Sequence, residues 1–385
     1  MSLLLFVALG GYQLAARIAQ SAVVGVILAG LIIGPSALGW VTYTEFVKSI
    51  AHLGAVILLF VTGLEFKLES ISKLRYAVVG LFGVALPWAG GYLLAILFGF
   101  DANRSMIIGV ALTATSVAIT ADTLREMGKL QTQAAQAIIG AAVIDDVLAL
   151  LALGVANQMA TASFSAWEVL GVLAKAVIFL AAGAWVGKRF LTPAIQRIDE
   201  SRIARDFPEY NFIFAMMVAF LYAMVAEIME LSAIIGSFVA GVSLEGVSLR
   251  TSKHFKEGAE YLRIIFGAIF FISLGIIADI KAFTPEVLWF LLALVLVAVL
   301  TKAVGCGLTA RLLGMSRQDA LVVGFGMVPR GEVAMIVALL ALNEKVIDQP
   351  SYVALVMMSL LTTLAVPLLF RNWLYRKDPS AGLAE

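Results

Sequence analysis

Apolar stretches of span length follow one another along almost the whole chain, separated by short polar breaks. A membrane-crossing helix needs about 20 such residues, and the sequence holds about thirteen of these stretches. In lipid every backbone N–H and C=O must find its partner inside the protein, so only helices and closed barrels can span. Segments this long, and apolar on every side, predict helices. Of 385 residues, 62% are hydrophobic and 14% charged, against about 25% charged in soluble domains. The chain therefore reads as an all-α polytopic membrane protein, not a soluble enzyme or a nucleic-acid binder. With two histidines, His52 and His254, it is a poor candidate for a histidine metal site, and no cofactor is expected. The lone Cys306, inside an apolar run, is expected to be a small packing residue. The N-terminus reads as a spanning helix, not a cleaved signal peptide.

Basic residues test the topology independently. With the N-terminus outside and the C-terminus cytoplasmic, Lys48, Arg104, Lys281 and Lys345 fall outside, and about twenty basic residues fall on the cytoplasmic side. The polar stretch 188–208 follows the seventh span, so the chain reads as six spans, one bridging span, then six more. An odd number between the halves makes them inverted repeats. The second and ninth spans, 20–38 and 232–248, are the shortest, and Gly34-Pro35 breaks the end of the second.

Against this apolar background a few polar groups stand out. Asp145 and Asp146 interrupt the run 137–155. A carboxylate at the bilayer centre costs roughly 2.5–3.5 kcal/mol on insertion scales, so two in succession point to function. Lys302 lies deep in the eleventh span. Successive helical residues point about 100° apart. One aspartate can pair with Lys302 while the other faces a cavity; spacing alone leaves open which. The fifth span carries the hydroxyl cluster Thr113, Thr115, Ser116 and Thr120, and the twelfth carries Pro329-Arg330-Gly331-Glu332. Proline and glycine weaken a helix, and both spans read as interrupted at corresponding places in the two halves. Paired, crossed discontinuous helices mark a midplane binding site. Arg330 and Glu332 are expected to hold the crossover. Glu65 reads mainly as an interfacial residue, as does Glu227, and Lys175 in the seventh span has no assigned role. An intramembrane aspartyl protease would want Gly-x-Gly-Asp, which is absent, and a lysine-linked retinal protein does not fit thirteen spans.

Taken together, Thr115-Ser116, Ile144-Asp145-Asp146, Lys302 and Pro329-Arg330-Gly331-Glu332 resemble the cation:proton antiporter-2 family, and within it the NapA-type sodium/proton antiporters. Gly63-Leu64-Glu65 and Ile269-Phe270-Phe271 extend the likeness along nearly the whole chain. The departures are Ala268, where relatives usually have proline, and Asp122, where some have a basic residue. The resemblance implies a homodimer in the inner (plasma) membrane. Its dimerisation domain would be 1–70 and 209–282, with a linker helix and cytoplasmic loop at 164–208. The mobile core would be 71–163 and 283–373, followed by a tail at 374–385. It implies Asp146 as the carboxylate for proton and cation, Asp145 as the partner of Lys302, and Thr115 and Ser116 at the crossover. The expected activity is exchange of Na⁺ or Li⁺ for H⁺, electrogenic because the pair is Asp-Asp and not Asn-Asp. Exchange of K⁺ for H⁺ is the alternative, although potassium-efflux relatives usually carry Gln-Asp.

Overall fold

The computed structural model describes residues 1–17, 21–65, 74–129, 131–159, 166–207, 209–229, 231–245, 247, 255–279, 281 and 284–375. Those residues form helices and no strand. In chain order the helices are α1 (Ser2–Arg17), α2 (Ala22–Ile33), α3 (Glu45–Glu65), α4 (Leu74–Leu97), α5 (Ala102–Ala111), α6 (Val117–Glu126), α7 (Gln133–Met159) and α8 (Ala166–Val186). There follow α9 (Thr192–Asp199), α10 (Arg202–Asp206), α11 (Tyr210–Ile228), α12 (Ala233–Ser243), α13 (Phe255–Ile277), α14 (Pro285–Leu312), α15 (Arg317–Gly326), α16 (Glu332–Asn343) and α17 (Gln349–Leu369). Six helices, α3, α4, α11, α13, α14 and α17, are long and apolar enough among the described residues to cross a membrane. The stretches expected at 20–38 and 232–248 yield only the shorter apolar helices α2 and α12. Gly34 turns extended directly after α2, in keeping with the restriction that Pro35 places on the residue before it.

The chain divides into two compact units. The first comprises Met1–Glu69 and Leu150–Asp279. In it α3 packs on α12 and α13, α13 on α2, and α2 on α1. Lipid tails give helices little hydrophobic reason to associate, so close approach through small residues takes over. A Cβ on Gly241 of α12 would collide with the Phe60 carbonyl oxygen of α3, and one on Gly63 with the Phe238 carbonyl. Gly30 of α2 and Gly275 of α13 meet the facing backbone in the same way. Next to the polar stretch, the Asn211 amide donates to Asp199 at 2.8 Å, fastening α9 to α11.

The second unit comprises Ser70–Ala149 and Ile280–Glu385. Here α14 packs against α4, α15 and α17, and α16 packs against α5 and α17. Polar caps start several of these helices. Asp101 accepts from the Asn103 and Arg104 amides of α5, Ser316 from Asp319 of α15, and Asp348 from Ser351 of α17. Arg104 reaches Asp348 at 3.1 Å and so ties the start of α5 to that of α17. The core mixes small residues of α7, such as Ala134, Ala137, Ala141 and Ala142, with Val322, Val323 and Phe370. Cys306 lies in this core, buried, as a packing residue.

Because backbone, not a flexible side chain, faces Gly241, Gly241→Ala is expected to destabilise the protein by about 1–3 kcal/mol. Thermal unfolding in detergent measures this as a fall in apparent Tm. Gly10→Ala, where a Cβ meets nothing within 4 Å, should leave it almost unchanged.

Candidate functional site

Two apolar stretches of span length are each split in the second unit. The first runs as α5, stops at Ala111, and resumes as α6 at Val117; the second runs as α15, stops at Gly326, and resumes as α16 at Glu332. Pro329 has no N–H to continue the ladder and disfavours helical geometry in Val328. The breaks meet. The Ser116 amide donates to the Pro329 carbonyl at 2.8 Å. Thr120 Oγ1 donates to the Gly326 carbonyl at 2.6 Å and Thr115 Oγ1 to the Met327 carbonyl at 3.3 Å. A Cβ on Gly331 would lie 2.5 Å from the Ser116 Cβ, so only glycine lets the two breaks approach this closely.

A stopped helix leaves open carbonyls and a partial negative charge at its C-terminal end. At the end of α5 two buried cations answer them. Lys302 Nζ, from α14, donates to the Thr113 carbonyl at 2.6 Å, to the Gly83 carbonyl of α4 at 2.7 Å and to Asp145 Oδ1 of α7 at 2.6 Å. All three ammonium hydrogens are thereby used. Arg330 Nη1 donates to the Ala114 carbonyl at 3.0 Å, and Nη2 to the Ala298 carbonyl of α14 at 3.0 Å. Thr362 and Thr363 of α17 hold the Arg330 backbone, the first accepting from its N–H and the second donating to its carbonyl. Lys302, Asp145 and Arg330 are each fully buried. Asp145 Oδ2 and Arg330 Nε are buried without a hydrogen-bond partner among the described residues.

The structure thus brings together Asp145, Lys302, Thr115, Ser116, Pro329 and Arg330. Asp146 lies in α7, Glu332 opens α16 and Glu65 closes α3, but their side chains lie outside the described residues, as does that of Asp122. Lys175 is exposed on α8. Sequence reasoning missed the backbone acceptors Gly83, Thr113, Ala114 and Ala298. A carbonyl has no residue-type signature, and a glycine inside a span is too common to single out. It also missed Thr362 and Thr363, whose adjacent hydroxyls were the one visible hint.

Residues 3–372 match the family described as sodium/hydrogen exchanger, transmembrane. The chain belongs to this family. It is 33% identical to the Na⁺/H⁺-K⁺ antiporter GerN of Bacillus cereus over 95% of this chain and 93% of that protein. It is 30% identical to a Na⁺/H⁺ antiporter of Enterococcus hirae over 94% of each. Its fold is similar to that of the sodium proton antiporter MjNhaP1 from Methanocaldococcus jannaschii, with a TM-score of 0.71 over 96% of both chains at 15% identity.

Removing one partner of a buried ion pair costs about 3–5 kcal/mol, because the other charge stays behind. Lys302 keeps two carbonyls when Asp145 is lost, so Asp145→Ala is expected near the low end, about 3 kcal/mol. Apparent Tm in detergent measures it, and Asp145→Ala combined with Lys302→Met should recover part of the loss.

Proposed function

We propose that this chain is a secondary active antiporter exchanging Na⁺, or Li⁺, for H⁺. The observation that carries the reading is the buried carboxylate–ammonium pair of Asp145 and Lys302 at the meeting of two helix breaks, in a chain of the sodium/hydrogen exchanger family. A protein gains little stability from such a pair compared with apolar packing, whereas an ion pathway needs titratable groups at this depth. In this reading Asp146, next to the pair on α7, binds either a proton or the cation. The two compete for one carboxylate, and the competition couples their fluxes. An empty, charged site crosses poorly, since an unpaired charge in low dielectric is costly; this prevents leak. Thr115 and Ser116 line the approach from the crossover, and Pro329, Arg330 and Glu332 keep its shape.

The finer features of the proposal follow the same line. The chain has about thirteen transmembrane helices in two inverted repeats, the N-terminus outside and the C-terminus cytoplasmic, as the asymmetry of basic residues suggests. The segments 71–163 and 283–373 form a mobile core that works by elevator-like alternating access. The segments 1–70 and 209–282 form a homodimer interface. Exchange is electrogenic, with two protons for one cation, the second proton coming from the Lys302–Asp145 pair.

A second reading, K⁺/H⁺ exchange, has one observation in its favour: the Bacillus cereus relative is named for both Na⁺ and K⁺. Proton flux in proteoliposomes, titrated separately with Na⁺, Li⁺ and K⁺, distinguishes the two. Asp146→Asn is expected to abolish cation-driven proton movement in the same vesicles, and a normal response in that variant would sink the assignment of the carrier. The unmutated protein should generate a transient current when a Na⁺ gradient is applied; exchange without current would refute the two-proton stoichiometry.

A further inference from the structure

Lys302 makes one hydrogen bond that neither the ion pair nor the helix breaks explain. Its Nζ donates to the Gly83 carbonyl at 2.7 Å, yet Gly83 lies inside α4, which runs from Leu74 to Leu97. In an α-helix the carbonyl of residue i is normally taken by the N–H of residue i+4. Four residues after Gly83 stands Pro87, inside the helix. Proline has no N–H to give, and its ring crowds the carbonyl four residues back, pushing it out of the ladder. The Gly83 carbonyl is therefore an open acceptor in the middle of a span. Gly83 also makes the room for its user. A Cβ there would stand 2.7 Å from Cys306 Sγ, 3.6 Å from Asp145 Oδ1 and 3.7 Å from Lys302 Nζ. A side chain at 83 would thus press on the Cys306 thiol and crowd the space beside Asp145 and Lys302.

We propose that Pro87 is a positioning residue for Lys302: by freeing the Gly83 carbonyl it supplies the acceptor on α4 that helps hold the ammonium in line with Asp145. The inference deepens the antiport reading and rests on it. The three acceptors have separate origins. The Thr113 carbonyl is opened by the stop of α5, the Gly83 carbonyl by Pro87, and Asp145 alone can change its charge. Two neutral, fixed acceptors keep the ammonium solvated and oriented whatever the state of Asp145. The charged and titratable groups that bear on Lys302 are Asp145 from α7, Arg330 from the bend before α16 and Cys306 on α14 itself. Asp146 and Glu332 are on α7 and α16, with side chains outside the described residues. A change at Pro87 alters none of these groups, so its effect reports on the carbonyl.

The test is Pro87→Ala, which returns an N–H to compete for the Gly83 carbonyl. Pro87→Gly returns the same N–H on a more pliable backbone and should act alike. With the protonated lysine held by one acceptor fewer, the pH of half-maximal cation-driven proton flux in proteoliposomes should move to the acid side. The shift should be about one to two pH units, the equivalent of one hydrogen bond from a charged donor. A second measurement needs no transport: the change in apparent Tm caused by Pro87→Ala, taken in the unmutated protein and in Lys302→Met. Coupling predicts different changes in the two backgrounds. Equal Tm changes together with an unmoved pH profile would overturn the proposal. If the unmutated protein shows no cation-driven flux, the antiport reading fails. The Tm comparison still decides whether Pro87 acts through Lys302.

Discussion

Every polar group of a backbone buried in a membrane must be answered from within the protein, and the second unit is organised around that constraint. Two helices stop partway through their apolar stretches, at Ala111 and at Gly326. Each stop opens carbonyls that water would satisfy at a surface. Here the end of α15 is met by the hydroxyls of Thr115 and Thr120, and the end of α5 by the cations of Lys302 and Arg330. The charges in this core are thus part of the solution to a hydrogen-bonding problem. Buried ammonium and guanidinium groups are expensive in isolation. Set against open carbonyls and a negative helix end, they become the partners those groups lack.

This coupling of backbone to charge explains why Asp145 and Lys302 face each other without exhausting one another. Lys302 divides its three hydrogens among α4, the end of α5 and α7. Asp145 offers one oxygen to the pair, and its other oxygen is buried without a partner among the described residues. The first unit shows close backbone approach as well. Its helices approach through glycines such as Gly63 and Gly241, with polar ties such as Asn211 to Asp199 beside them.

Much of this was legible in the residues. The interruptions announced themselves through Pro329 and Gly331 in one stretch and the hydroxyls of Thr113, Thr115, Ser116 and Thr120 in the other. Asp145 and Lys302 stood out because charge in an apolar run is rare. Spacing did not choose between Asp145 and Asp146 as the partner of Lys302; family likeness made that choice, and the geometry places Asp145 against the ammonium. Helix lengths were less legible: α2 and α12 are shorter than their apolar runs, because hydropathy does not register where a chain turns. The carbonyls of Gly83, Ala114 and Ala298 could not be read at all. Every residue carries one, and only the fold decides which are left open.

Arg330 reaches the Ala114 carbonyl across 216 positions of sequence, and Lys302 reaches Thr113 across 189. The break between α5 and α6 is therefore made early in synthesis and completed late. Until the last quarter of the chain has emerged, the open end of α5 must be served by water or by the insertion machinery. The protein cannot close this region helix by helix as it enters the bilayer. Its two halves have to wait for each other, so the hydrogen bonding of this crossover is completed only once the late helices have arrived.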